Sequence, residues 1–132
     1  MRLISDEAIA AVTIFQEAEN QGHEGRVAVG EVILTRMKHA FHSDGTVIGT
    51  CCAPVQFSGW NATARNRIRS LMADDANVIV KDCLAAWHEA LAGSSLTDGA
   101  DSYFNPAIVT PPWFDQKLVV ATIKDHVFLR LR

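Results

Sequence analysis

Residues Ile14–Met37 read IFQEAENQGHEGRVAVGEVILTRM, and the reading of this stretch decides the fold. An apolar helical run closes in Phe15-Gln16-Glu17-Ala18, a polar connector carrying Gly22 and Gly25 follows, and a second apolar run, Val27 to Leu34, closes on Thr35 and Arg36. Two packed helices are expected. Glu17 ends the first run, where a buried helix would meet a loop. A carboxyl group half removed from water there has a raised pKa and can hold a proton near neutral pH, as a general acid must. The other reading is an ordinary solvated glutamate in a last helical turn.

Working outward, Ser5 can cap the first helix, with Asp6 and Glu7 at the positive end of its dipole. Ala8, Ala11, Val12, Phe15 and Ala18 then form one apolar face. The second helix has few polar interruptions and should be buried on most sides. Glu31 is the exception. It shares a face with Val27 and Leu34, so it either faces a cleft or lies at the margin of the core, and the margin is favoured.

His39 to Cys52 read as loop. Pro54-Val55-Gln56-Phe57-Ser58-Gly59-Trp60-Asn61 has no period and mixes aromatics with amides and a hydroxyl, as a binding loop does or as a loop pinned by Phe57 and Trp60 would. A short basic helix is expected from Ala64 to Met72. A longer one, capped by Asp74 or Asp75, should run to Leu91 with Gly93 as its stop. Tyr103-Phe104-Asn105-Pro106 and Pro111-Pro112-Trp113-Phe114 form a second aromatic, proline-punctuated stretch without a period. Lys117 to Ile123 and His126 to Arg132 alternate around Lys124-Asp125, which predicts a terminal β-hairpin. The expected class is therefore mainly α (α+β), as a single domain over residues 1–132 with a small C-terminal β-hairpin.

At 132 residues, 48% of them hydrophobic, the chain can bury one core. A net charge of −3 argues against nucleic acid as a partner despite the local Arg65, Arg67, Arg69 cluster. No apolar run reaches the ~20 residues that span a bilayer, so membrane insertion is not expected. The N-terminus lacks a signal-peptide pattern, so synthesis in the cytoplasm is expected, with release needed for any action outside it. Three cysteines, Cys51, Cys52 and Cys83, allow one disulfide at most, with free buried thiols as the alternative.

No metal site or cofactor is expected. His39 and His42 with Asp44 lack a third ligand at a recognised spacing, and His88-Glu89 lacks the second histidine of a zinc-protease helix. Phe57-Ser58-Gly59 is not a nucleophile elbow. No thiol stands in a recognisable pattern with a histidine, and no glycine-rich phosphate loop is present. An acid-catalysed reaction on a polar polymer remains, with Glu17 as the acid and the two aromatic loops as the walls of a groove.

Three blocks, in order, carry a resemblance: EAENQGHEGRVAVGEVILTR at Glu17 to Arg36, QFSGW at Gln56 to Trp60, and SYFNPAIVTPPW at Ser102 to Trp113, followed by HVFLR. The chain resembles the SleB-type cell wall hydrolases, which include spore-cortex-lytic enzymes and many phage peptidoglycan-degrading enzymes. The resemblance implies a lysozyme-like helical domain acting on peptidoglycan glycan strands, cleaving between N-acetylmuramic acid and N-acetylglucosamine by lytic transglycosylation; separately, a monomer is expected. Glu17 matches the family's catalytic glutamate. Gln56, Ser58, Tyr103 and Asn105 match positions that line the cleft. The departures are Glu19-Asn20 where the family usually has arginine and glycine, and Glu31 and Thr35 where it usually has alanine and asparagine. Glu31 opens the alternative of a hydrolysing muramidase with a second carboxylate. A non-catalytic glycan-binding module is the rival of another class, and a phage endolysin acting on the wall after release, for example in the host periplasm, is the simplest setting.

Overall fold

Ser5 accepts the Ala8 amide at 3.2 Å and starts α1, Asp6–Ala18, as expected. A computed structural model describes residues 5–53, 56–57 and 78–132. α1 buries far more than one face: Ile9 to Phe15 are all buried, because three later helices pack around it. Thr13 fits this apolar setting because its hydroxyl donates to the Ile9 carbonyl at 2.8 Å.

The connector is shorter than its polarity suggests. Helix α2 spans Gly22–His39, so both connector glycines belong to it. A Cβ on Gly25 would lie 2.4 Å from Gln21 Cβ, which explains a glycine inside the first turn. Gln21 cannot swing aside, because its amide nitrogen donates to Asp125 Oδ2 at 3.1 Å and its amide oxygen accepts the Asp125 N–H at 3.0 Å. Through Gln21 the elbow between α1 and α2 grips the turn of the C-terminal hairpin.

α2 is the central element, as its near-uniform apolarity predicts. Val29 and Ile33 join a core with Ile14, Phe15, Val47, Cys51 and Trp87, while Ala28 and Val32 join a second core with Ala100 and Phe128. Gly30 makes the crossing possible: a Cβ there would sit 3.2 Å from Ala90 and 3.5 Å from Ile14. Helix α3, Val47–Cys51, capped by Thr46, lies within the region read as loop. Helix α4, Val78–Leu91, buries Cys83, Ala86, Trp87 and Ala90 and stops before Gly93 as expected. The expected basic helix at 64–72, the Asp74 or Asp75 cap and the Arg65, Arg67, Arg69 cluster lie outside the described residues.

At the N-terminal end of α2, a polar cluster ties it to α4. His23 Nδ1 meets Asp82 at 2.8 Å, His23 Nε2 meets Glu89 at 2.6 Å, and Arg26 donates to Asp82 at 2.7 Å. The Glu89 and Asp82 carboxylates raise the His23 pKa, against a smaller opposing effect of burial.

The hairpin forms as the alternation predicts, with β2 at Val119–Ile123 and β3 at His126–Leu129. A 3₁₀ turn, Gln116–Leu118, replaces the expected start of the first strand. A third strand, β1 at Ser102–Phe104, pairs antiparallel with β3, giving the order β1-β3-β2. The hairpin reading missed it because three residues are too few to show a period. Cys51, Cys52 and Cys83 are free thiols. Burial pushes the Cys51 and Cys83 thiols up to about 12, so neither is a nucleophile near neutral pH. Among the described residues, no helix is long and apolar enough to cross a membrane.

Candidate active site

The last turn of α1 carries Glu17 out of the core to face β1. Tyr103, the middle residue of β1, donates its hydroxyl to Glu17 Oε1 at 2.5 Å. Strand pairing sets Tyr103 opposite Phe128 with ring centroids 5.5 Å apart, and His126 flanks the Tyr103 ring at 4.9 Å. Register therefore aims the phenol at the Glu17 carboxyl group.

Burial is the largest influence on Glu17 and raises its pKa; the Tyr103 bond and the positive charge of Arg36 pull it partly back. The net result favours the protonated carboxyl, as the position of Glu17 at a helix end suggests. Tyr103 is held well above its ordinary value, first by burial and then by the Glu17 charge, so it remains a donor.

Arg36, in the last turn of α2, is only 6% exposed. Its Nε donates to the Asp101 carbonyl at 2.6 Å, one terminal nitrogen donates to Gln56 Oε1 at 3.4 Å, and its guanidinium carbon lies 5.0 Å from the Phe57 ring centroid. Sequence reading used Arg36 only as the end of a motif. The signal was its spacing: it falls on the helix face of Val29, Val32 and Ile33, where a charged residue is unusual.

The other expected site residues divide. Gln56 is brought to the cluster, and because its amide oxygen accepts from Arg36 its NH₂ end turns away from the guanidinium. Asn105 follows β1 directly, but its side-chain oxygen accepts the Ala107 amide at 3.0 Å and closes a turn. Beyond it, Trp113 and Phe114 pack edge-on against Phe104, while Ile108 and Val109 stay exposed. Ser58 lies outside the described residues.

Glu31 is placed elsewhere. It is 5% exposed, so it is buried rather than marginal. Oε1 accepts from the Thr97 amide and hydroxyl, both at 2.8 Å, and Oε2 from the Leu96 amide at 2.9 Å and the Ser94 hydroxyl at 2.5 Å. These donors meet the condition under which a buried carboxylate is tolerated. Glu31 lines a separate cavity of about 310 Å³ with Lys38, Ala90 and Ser95, and Glu17 is not part of that lining.

His126 was missed as a neighbour of the site. It is buried, its Nδ1 has no hydrogen-bond partner, and burial lowers its pKa, so the ring beside Tyr103 is neutral near neutral pH. Among the described residues, no group of three or more His, Cys, Asp or Glu side chains is arranged to hold a metal ion.

Residues 20–129 match the model of the cell wall hydrolase family. Glu17 lies just ahead of that span. The chain is 31% identical over 126 residues to a spore cortex-lytic enzyme of Oceanobacillus iheyensis, covering 96% of this chain and 42% of that protein. It is 27% identical over 124 residues to a spore cortex-lytic enzyme of Bacillus subtilis, covering 94% and 37%. The chain thus spans less than half the length of these relatives. Its structure is similar to the catalytic domain of the germination-specific lytic transglycosylase SleB from Bacillus anthracis, with TM-score 0.76 and 26% identity, covering 95% of this chain and 93% of that one. The catalytic domain of Bacillus cereus SleB is similar to the same degree, TM-score 0.76 and 26% identity, covering 95% and 89%. By the extent of the family match, and with the fold of the SleB catalytic domains, this chain belongs to the cell wall hydrolase family.

Proposed function

We propose that the chain cleaves the glycan strand of peptidoglycan between N-acetylmuramic acid and N-acetylglucosamine as a lytic transglycosylase, with Glu17 as the sole acid and base. The observation that carries this reading is the Glu17–Tyr103 pair: a carboxyl group whose pKa is raised by burial, with one oxygen accepting from the Tyr103 hydroxyl.

Glu17 gives its proton to the glycosidic oxygen as the bond from that oxygen to the muramic acid anomeric carbon breaks. The Glu17 carboxylate then takes the proton of the muramic acid 6-hydroxyl, whose oxygen closes on the same carbon to form the 1,6-anhydro ring. Glu17 ends protonated, and no water is consumed. Tyr103 favours the first step because its hydrogen bond strengthens as Glu17 becomes anionic. Ordinary glycoside hydrolysis needs two carboxyl groups about 5 to 9.5 Å apart. Glu31 is a poor candidate for the second, since four donors already occupy its two oxygens.

The likeness to the Bacillus anthracis domain, itself a lytic transglycosylase, supports the same outcome. We read the biological setting as lysis of a bacterial wall after release, as by a phage endolysin. Digestion of purified peptidoglycan by wild type and Glu17→Gln, with products identified by mass spectrometry, tests the chemistry. Anhydro-muramic acid ends that vanish in the variant are expected. Reducing ends would mean a muramidase, and products unchanged by Glu17→Gln would remove Glu17 from the mechanism.

A further inference from the structure

A buried guanidinium is costly unless its charge and donors are satisfied. Arg36 is buried, yet the partners that bond it are neutral: the Asp101 backbone carbonyl, the Gln56 amide oxygen and the face of Phe57. Among the described residues no carboxylate bonds it directly. The nearby Asp101 carboxylate is engaged with the Leu131 and Arg132 amides, the Arg132 guanidinium and the Ser102 hydroxyl. Among the described residues the Arg36 charge is therefore not neutralised by a directly bonded carboxylate.

We propose that Arg36 is the positioning residue of this site, fastening the Gln56–Phe57 wall and the approach to β1 onto α2 while holding a fixed positive charge toward Glu17. This rests on reading Glu17 as the acid. Three parts of the chain meet at one side chain: the last turn of α2, the segment at 56–57, and the residue before β1 that carries Tyr103 into place. Arginine suits the task because its planar fork reaches two acceptors at once and its face stacks on an aromatic ring, which a lysine cannot reproduce.

The charged and titratable groups around the pair come from separate elements. Tyr103 on β1 and Arg36 on α2 act on Glu17, while Asp101 before β1 and Cys51 on α3 act on Arg36. Arg36 favours the ionised carboxylate and burial opposes it, so Arg36 limits how far burial can raise the acid. Without that limit the carboxyl would hold its proton to higher pH and form a weaker acid toward the glycosidic oxygen.

The test uses Arg36→Met, which removes the charge, and Arg36→Lys, which keeps the charge but not the fork. The Glu17 carboxyl is followed by carbon NMR titration, its signal identified by its loss in Glu17→Gln. In R36M the titration should move to higher pH, and the high-pH limb of the activity profile should move with it. In R36K the limb should stay near wild type while KM rises roughly tenfold, as expected for a lost charge-assisted hydrogen bond at the wall. An unmoved Glu17 titration in folded R36M, or a wild-type KM in R36K, overturns the proposal. If R36M does not fold, Arg36→Gln, which keeps a donor for the Asp101 carbonyl, serves for the charge arm. The titration needs no substrate, so a wild type inactive on peptidoglycan would sink the proposed function while the effect of Arg36 on Glu17 could still be read.

Discussion

Tyr103 on β1 and Glu17 in the last turn of α1 are joined by a 2.5 Å hydrogen bond between residues 86 positions apart in the chain. The bond makes the Glu17 carboxyl and the Tyr103 phenol one unit. Burial lifts the carboxyl toward its protonated form and the phenol moderates that lift.

Tyr103→Phe removes the donor and keeps the ring contacts with Phe128 and His126. We expect kcat to fall roughly 10- to 100-fold, the equivalent of one hydrogen bond to a developing charge. The high-pH limb of activity should move upward, because Tyr103 lowers the Glu17 pKa. A pH–rate profile of peptidoglycan solubilisation checks both, and an unchanged kcat would mean that the bond has no role in the chemistry.

Glu17 should weaken the fold where it is ionised. Its pKa is raised above the ordinary 4.5, so the stability present below that value is lost as pH climbs through the raised one. Glu17→Gln should therefore melt higher than wild type at pH 7 and almost equally at pH 4. Thermal unfolding at the two pH values decides, and a variant less stable than wild type at pH 7 contradicts the sign.

Glu31→Ala strands two backbone amides and two hydroxyls in the 94–97 loop. A loss of about 3 kcal/mol is expected, on the order of 10 °C in Tm. Whatever activity remains should yield the same anhydro products as wild type. A shift in product type, read by mass spectrometry, would instead place Glu31 in the reaction.

His23 should contribute most at mildly acidic pH. Its pKa is raised above 6.5 by Glu89 and Asp82, so its contribution is full below that value and fades as pH rises through the raised one. Because the side chain is 44% exposed, solvent screens the effect. The Tm difference between wild type and His23→Gln should be small, largest near pH 6, and shrink as pH rises further. A difference that grows with pH would contradict this sign.

The helices at the front of the chain were legible because their apolar spacing repeats over several turns. α1, α2 and the end of α4 at Gly93 follow from it, and the hairpin follows from alternation around Lys124-Asp125. α3 escaped because five residues hold barely more than one turn, and β1 because its partner, β3, lies far along the chain. Of the site, Glu17 was singled out by its place at a helix end and then by the resemblance, and Tyr103 by the resemblance, but their bond was not legible, since nothing local to either residue encodes it. Arg36 was visible as a charge on an apolar face, and only its surroundings gave that oddity a purpose. Glu31 illustrates the converse: its burial is tolerated because of donors 63 to 66 residues away.

The Gln21–Asp125 clasp bears on the order in which the fold closes during synthesis. It spans 104 positions, and with the Tyr103–Glu17 bond it closes the site through contacts between distant parts of the chain. Such contacts form late, since loop closure must be overcome before they add stability. A chain still on the ribosome carries Glu17 early but lacks Tyr103 and the hairpin that surround it in the finished fold. The surroundings of Glu17 are then completed only after the hairpin has been made and has docked, so the two ends of the described fold mature together.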